Sequence, residues 1–475
     1  MGRKENKYKI LAKDTVLFAI SNFGSKIILF LLVPLYTSVL ATEEYGIADL
    51  ITTTVEFIYP ILTLAIADAT LRYALDKSAS SEAVLANSLL LTGLSIGALA
   101  LLLPLLKLIN SALEEYWIYF ILFYAFYNIS NCFSNFIKGI EKTKLFAIQG
   151  IVHTITFVLC NIVLLLIFDL GLIGYLISLI AGYFVPCVIM FFCGKIYKFL
   201  FPLKIDGLLL ADMLKYSIPM IPTVLAWTVN SSIDKYMIIS MFGLGESGIY
   251  SVAHKIPTVF TSILTVFTNA WQISAISNRG SHDESEYYTK IYRGLNIIGI
   301  YGCLAIMLCS KWLAKILFAK DYFEAWKYVP FLVIASLFSS LSAFLAAAFR
   351  ADKKTKSLFV SVAAGAGVNI ILNVILLHIM GTIGAAVATA VSFFFVWFLR
   401  MIMVQKIVRV KIGLWQTICT YILFGCAGVL MTLEFHFAKL FVIFFAVVIF
   451  IINIKIIMEI LKGVIGYIVK IVHKK

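Results

Sequence analysis

The chain has 475 residues, of which 62% are apolar and only 13% are charged, and its formal net charge is +14. A soluble domain carries roughly 25% charged residues, and no soluble fold could bury this much apolar surface. Apolar runs of roughly 18 or more residues recur along the whole chain, and each is long enough to cross a hydrocarbon core about 30 Å thick. Composition therefore predicts an integral membrane protein and excludes an enzyme that works in water.

The positive charge lies in short segments between the apolar runs, and no nucleic-acid-binding motif accompanies it. All eight cysteines fall inside apolar runs, without a Cys-x-x-Cys pair or clustered histidines. We therefore expect no nucleic-acid partner, no disulfide and no bound metal.

Apolar runs between charged or turn-forming breaks predict about 14 transmembrane spans. The alternating ten-residue strands of a membrane barrel are absent, so an all-α, polytopic fold is expected, in which each helix satisfies its own backbone hydrogen bonds. The predicted spans are residues 15–40, 46–68, 84–109, 116–138, 145–168, 172–194, 216–241, 248–275, 292–312, 328–350, 356–379, 382–405, 412–432 and 437–461.

Lysine and arginine placement predicts the orientation of the chain. With both termini in the cytoplasm, 30 of the 39 basic residues fall on the cytoplasmic side and six fall in outer loops. The remaining three, which are assigned to neither side, lie inside spans: Lys26, Lys235 and Lys255. This bias predicts a multi-pass protein of the plasma membrane whose two termini are cytoplasmic.

The two halves of the chain resemble each other. Glu-Tyr-Gly-Ile at residues 44–47 returns as Glu-Ser-Gly-Ile at 246–249, and Lys-Thr-Lys at 142–144 returns at 354–356. Matches in the same order at a near-constant offset indicate an internal repeat. We predict an N-terminal lobe of six spans at residues 1–205, a C-terminal lobe of six spans at 206–410, and two further spans with a tail at 411–475. Parallel repeats favour a substrate path between the lobes, near the midplane.

Charged residues in the spans are candidates for a substrate cavity, because a charge at a helix centre costs about 2.5–3.5 kcal/mol. Lys26 and Glu56 should lie near mid-depth, where they either line a hydrated cavity or pair with each other. Lys235 and Lys255 lie on the order of 10 Å deep, and the alternative for both is that their stems reach the interface. Lysines suit a diphosphate, whereas Glu56 and Asp234 either pair internally or bind a proton or sodium ion for coupling.

Polar stripes mark the helix faces on which these charges lie. The alternative is hydrogen bonding between helices by serine and threonine. The stripes are Lys255, Thr258, Ser262, Thr265 and Asn269 on span 8, Trp227, Asn230 and Asp234 on span 7, and Asp49, Thr52, Thr53, Glu56, Tyr59 and Thr63 on span 2.

Ordered motifs carry a family resemblance over essentially the whole chain. They are Asn-Phe-Gly-Ser-Lys at 22–26, Pro-Leu-Tyr at 34–36, Glu-Glu-Tyr-Gly-Ile at 43–47, Asp-Ala-Thr-Leu-Arg-Tyr at 68–73 and Gly-Ile-Glu-Lys-Thr-Lys at 139–144. With the 14-span layout, the chain resembles the multidrug, oligosaccharidyl-lipid and polysaccharide flippase superfamily, and within it the flippases of O-antigen or capsule repeat units.

The resemblance implies a two-lobed carrier of the bacterial inner membrane that works by alternating access and needs no cofactor. Its cargo would be an undecaprenyl-diphosphate-linked oligosaccharide, moved from the cytoplasmic to the outer leaflet. Membrane lipids and the polysaccharide polymerase machinery are the other expected partners. Spans 13 and 14 would form a groove for the lipid tail.

The resemblance places cavity cations on the first, second and eighth helices, which Lys26 and Lys255 match, whereas span 2 carries Glu56 instead of a base. The predicted substrate residues are Lys26, Lys255, Lys235, Asn22, Thr258, Asn230 and Trp227. A flippase of peptidoglycan precursors and a multidrug or cation antiporter remain alternatives. A membrane enzyme is disfavoured because the outer loop at 313–327 holds no catalytic constellation.

Overall fold

The computed structural model describes residues 24–459 except 77, 110, 202–203, 278, 281, 353 and 434. This part of the chain is helical and contains no strand. Short helices cover Ser111–Glu115 and Tyr197–Leu200, and 3₁₀ turns cover Ile218–Met220 and Lys320–Lys327. The main helices are α1 (Gly24–Val39), α2 (Thr42–Leu62), α3 (Ile66–Leu75), α4 (Ser81–Ile109), α5 (Trp117–Gly139), α6 (Thr143–Asn161, continued as a π-helix over Ile162–Ile167), α7 (Gly171–Cys193), α8 (Gly207–Ser217), α9 (Ile221–Phe242), α10 (Leu244–Ala253), α11 (Lys255–Ser277), α12 (Glu284–Leu317), α13 (Val329–Ala351), α14 (Thr355–Met380), α15 (Thr382–Val404), α16 (Leu414–Thr432) and α17 (Ala438–Ile452).

The described part of every predicted span coincides with a helix or a pair of helices. Among the described residues, nine helices are long and apolar enough to cross a bilayer, or ten if α2 and α3 form one bent span, and Gly24–Val39 and Ala438–Ile452 are shorter apolar helices. The all-α, polytopic membrane fold predicted from the sequence is confirmed.

Span 2 is not the single helix that its apolar run predicts. The chain bends by 61° between α2 and α3, and Leu64 and Ala65 both adopt left-handed backbone angles there. Pro60 lies in the last turn of α2 and cannot donate a backbone hydrogen bond within it. The helix ends two residues after the proline, at Leu62, and the last part of the predicted span belongs to a separate helix.

Span 8 is also interrupted. A turn at His254 separates α10 from α11, although the sequence pattern predicts one helix over residues 248–275. Pro257 lies one turn further on, and its missing N–H leaves the carbonyl of Ala253 without its usual helical donor. Lys255 therefore occupies the first residue of a helix rather than the middle of one.

The chain forms two compact units. The first runs to Val252 and includes Leu317–Tyr322, and the second comprises Ala253–Ile316 and the chain from Phe323 onward. Compact packing and sequence repetition are different criteria, so the lobe boundary between residues 205 and 206 stays a prediction.

Each unit has its own apolar interior. In the first unit, Cys132, Phe133 and Phe136 of α5 pack with Cys187 and Met190 of α7. In the second unit, α13 is the central helix, buried along most of its length and packed against α11, α15 and α16.

Candidate functional site

Helices α2 and α10 of the first unit make a close backbone contact at two glycines. A Cβ atom on Gly46 would lie 2.1 Å from the carbonyl oxygen of Leu244, and one on Gly248 would lie 2.1 Å from that of Thr42. These are equivalent positions of the sequence repeat, since both glycines and both carbonyl residues are 202 positions apart. The two repeated Gly-Ile motifs therefore pack against each other with local two-fold symmetry, and only glycine fits the contact.

Asp49 and Lys235 form an ion pair one turn deeper than this contact. The Lys235 Nζ lies 2.9 Å from Asp49 Oδ2, and the two side chains are 16% and 12% exposed. Ser251 donates a hydrogen bond of 2.7 Å to the same carboxylate. Ser251 is the repeat equivalent of Asp49, so this hydrogen bond joins equivalent positions, and together with the ion pair it connects α2, α9 and α10.

Asp234 is buried beside this pair. Its Oδ2 accepts a hydrogen bond of 2.6 Å from the Tyr250 hydroxyl, and its Oδ1 accepts one from the backbone N–H of Lys235. Asn230 lies one turn earlier on α9 and is 1% exposed, whereas Trp227 is 39% exposed. The predicted polar stripe of span 7 thus points mostly into the interior of the first unit.

Glu56 lies further along α2, fourteen residues after the helix begins, or about 21 Å at the usual rise. Its side chain is exposed. The carboxylate interacts electrostatically with Lys235 and with the hydroxyl groups of Tyr127 and Tyr183. Glu56 is therefore near the cation that Asp49 holds, but is more open to the surroundings.

Lys26 lies on α1, two residues after the described part of the chain begins, and its side chain is exposed. No ion pair joins it to Glu56 or to any other residue that the structure describes. Of the two alternatives for Lys26, a pair with Glu56 is absent among the described residues, and lining a hydrated cavity stays a prediction. Asn22, predicted beside it, lies outside the described residues.

Lys255 and its stripe belong to the second unit. Lys255 is half-buried at the start of α11, and the Thr258 hydroxyl donates to the carbonyl of His254 at 2.7 Å. Ser262 is buried and bonds back to the Thr258 carbonyl, whereas Thr265 is exposed. Internal hydrogen bonds therefore account for part of the stripe, and the exposed part lies toward its far end.

The second unit contains an apolar cavity of about 600 Å³. Its walls come from α13, α15 and α16, and polar groups are limited to residues such as Gln405, Thr417 and Tyr421. The resemblance places a groove for a lipid tail between spans 13 and 14. One wall of the cavity, α16, is predicted span 13 and agrees with that expectation. The other two walls, α13 and α15, are predicted spans 10 and 12.

Sequence reasoning missed three members of the network. Asp49 was one of six polar residues on span 2, and neither Tyr250 nor Ser251 stood out from its surroundings. The repeat offset was the available signal, because it relates Asp49 to Ser251. Arg72 of the motif at 68–73 lies over the Tyr216 ring, with its guanidinium carbon 4.4 Å from the ring centroid.

Comparisons with known proteins place the fold. A family model described as polysaccharide biosynthesis protein matches residues 11–272, and a MatE family model matches residues 219–375. An uncharacterised membrane protein of Methanocaldococcus jannaschii is 27% identical over 290 residues, which cover 58% of this chain and 67% of that protein.

Among solved structures, the lipid II flippase MurJ in an inward closed conformation matches with a TM-score of 0.71 at 16% identity, covering 94% of this chain and 99% of that one. An inward-facing multidrug resistance transporter of the MATE family matches with a TM-score of 0.69 at 12% identity, covering 82% and 97%. A transporter from Pyrococcus furiosus matches with a TM-score of 0.61 at 14% identity, covering 83% and 96%. At these identities the likeness establishes the fold alone.

Proposed function

We propose that this chain, which belongs to the polysaccharide biosynthesis protein family of the flippase superfamily, translocates an undecaprenyl-diphosphate-linked oligosaccharide from the cytoplasmic to the outer leaflet. In this proposal the protein is a transporter rather than an enzyme, and it works by alternating access. It lies in the bacterial inner membrane, with both termini in the cytoplasm. Its product would supply the synthesis of a surface polysaccharide such as capsule or O-antigen.

The observation that carries the proposal is the different state of the two lysines in the first unit. Lys235 forms an ion pair with Asp49, which neutralises the charge of its ammonium group. Lys26 exposes its ammonium without a carboxylate partner among the described residues. An ammonium of this kind supports binding of a diphosphate, which lysine attracts as a point charge. It argues against a cargo of organic cations.

The apolar cavity of the second unit suits the other end of the cargo. Its walls offer aliphatic and aromatic side chains and very little that could bind a sugar hydroxyl. An isoprenoid chain buries only apolar surface and would fit such walls without leaving polar groups unpaired.

Coupling to an ion gradient is part of the proposal. Asp234 has both carboxylate oxygens engaged by Tyr250 and the Lys235 backbone, whereas Glu56 is exposed. Glu56 is therefore the better candidate for binding a proton or sodium ion during the cycle. Replacing Glu56 with Gln should remove the dependence of export on that gradient while leaving protein abundance unchanged.

The test is export in a deletion strain complemented with wild type, Lys26→Ala, or the matched control Lys406→Ala, whose exposed side chain lies in a loop. We expect the deletion to accumulate undecaprenyl-linked oligosaccharide in the inner leaflet. Wild type and Lys406→Ala should restore surface polysaccharide, whereas Lys26→Ala should not, at equal protein level.

Two other outcomes distinguish the alternatives. Loss of cell-wall synthesis with normal surface polysaccharide would favour a peptidoglycan-precursor flippase, the alternative to which the similarity to the lipid II flippase MurJ points. Normal leaflet distribution with altered drug sensitivity would favour the multidrug exporter to which the MatE match points.

A further inference from the structure

Arg400 is a buried cation that the proposed function does not use. Counting charges along the sequence assigns Arg400 to the cytoplasmic side, although it lies within predicted span 12. In the structure it is on α15, one turn before the helix ends at Val404, and it is 4% exposed. The charge count alone gives no sign that this side chain is buried.

Two neutral oxygens hold the guanidinium in place. Its Nε donates to the Ser361 hydroxyl of α14 at 2.9 Å, and its Nη1 donates to the Ser342 carbonyl of α13 at 2.9 Å. Both serines are fully buried. A guanidinium has five N–H donors, and these two bonds use two of them. The side chain is thus oriented by three helices of the second unit while several donors remain available.

The described residues supply no carboxylate to Arg400. A second cation lies on the helix that Arg400 contacts, since Arg350 is in the last turn of α13, which packs against α15 and supplies the Ser342 carbonyl. The acid next to Arg350 in the chain, Asp352, is already engaged by Arg279 and Lys354. Burial of Arg400 without a counter-charge is unfavourable, and a second cation on the neighbouring helix does not compensate it. A brace between helices would not need this arrangement, because an apolar side chain could fill the same space.

We propose that Arg400 and Arg350 form a binding site for a phosphate-type anion where α13, α14 and α15 meet in the second unit. The planar guanidinium fork matches the oxygens of a phosphate ester or diphosphate, and two arginines can share one such group. Arg350 is exposed and provides access to the site, whereas Arg400 is fixed by its two hydrogen bonds. The anion can come from an anionic membrane lipid or from a diphosphate, and only the second source depends on the proposed function.

The test uses the full-length protein in a neutral detergent and two probes, inorganic diphosphate and phosphatidylglycerol, with phosphatidylcholine as the uncharged-lipid reference. Affinity and the shift in thermal unfolding temperature are measured for wild type, Arg350→Gln and Arg400→Met. Arg409→Gln is the matched control because that arginine is exposed on the following loop.

We expect an anionic probe to raise the unfolding temperature of wild type and of Arg409→Gln, because a ligand that binds only the folded state stabilises it. Arg350→Gln should weaken binding about tenfold, the loss of one charge-assisted hydrogen bond. Arg400→Met should lose the shift entirely. Without the probe, Arg400→Met should unfold at the same temperature as wild type or higher, since it removes an uncompensated buried charge.

Either source of the anion supports the site. A response to diphosphate identifies a site for free or cargo phosphate groups, and a response to phosphatidylglycerol alone identifies a lipid headgroup site. The proposal is overturned if wild type responds to neither probe. Equal weakening by Arg350→Gln and Arg409→Gln would also overturn it, by showing nonspecific attraction. Because Arg350 is exposed, its variant keeps the test decisive even if Arg400→Met fails to fold.

Discussion

The ion pair between Asp49 and Lys235 allows a quantitative test of how the first unit is stabilised. Both side chains are largely buried, and the charged atoms are 2.9 Å apart. Removing one partner leaves the other charge buried without its counter-ion, which costs about 3–5 kcal/mol. Because Ser251 still donates to Asp49 and neither side chain is fully buried, we expect the lower end, about 3 kcal/mol, for Lys235→Met and for Asp49→Asn.

The double variant carries the diagnostic information. It leaves no lone charge, so its loss of stability should be no larger than that of either single variant, about 3 kcal/mol, which corresponds to a coupling energy of about 3 kcal/mol between the two residues. The measurement is denaturant unfolding in mixed micelles, followed by tryptophan fluorescence. Glu324→Gln is the control, since it breaks a pair with Lys327 whose side chains are 51% and 35% exposed, and should change stability by less than about 1 kcal/mol.

Two results would refute this reasoning. Wild-type stability of Lys235→Met would show that the pair does not hold the helices together, and strictly additive losses would show that the two charges do not interact. Export adds a further distinction. A stable double variant that still exports polysaccharide would exclude Lys235 as a cargo ligand, whereas a stable variant that does not export would support that role.

Three further predictions concern other contacts. Gly46→Ala should cost at least about 1–3 kcal/mol of unfolding free energy because its Cβ would meet a backbone carbonyl at 2.1 Å, whereas Gly97→Ala, with open space around it, should be neutral or stabilising in the same unfolding assay. Tyr250→Phe should cost about 1–3 kcal/mol in that assay, since it removes the hydroxyl donor from buried Asp234, and an unchanged midpoint would contradict this. Hydrogen bonds from Lys354 and Arg279 lower the pKa of Asp352, so its contribution to stability is present above the ordinary carboxyl pKa of about 4 and is lost as the pH falls through the lowered value. Unfolding measured against pH should therefore show a smaller acid-side loss in Asp352→Asn than in wild type.

The helical membrane fold could be predicted because its physical cause is local. Each apolar run is long enough to span a bilayer, and a helix satisfies its own backbone hydrogen bonds there, so length and hydropathy suffice. The breaks at Leu64 and His254 were missed because hydropathy averages over a window. The nearby prolines, Pro60 and Pro257, were the local signal for them.

The candidate site was predicted only in outline. The sequence identified Lys235 and Asp234 as charges within a span, because a charge in an apolar run is visible without knowing its neighbours. It could not pair Lys235 with Asp49, because the two are 186 residues apart and hydropathy carries no information about which helices touch.

The sequence by itself determined that the protein lies in a membrane, that it is helical, that it contains an internal repeat and to which superfamily it belongs. Each of these depends on composition or on the order of residues along one chain. Tertiary structure decided which charges are compensated. Asp49 neutralises Lys235, two serines orient Arg400, and Lys26 has no partner among the described residues. The physical reason is that the cost of a buried charge depends on atoms within a few ångströms, and packing alone brings those atoms together.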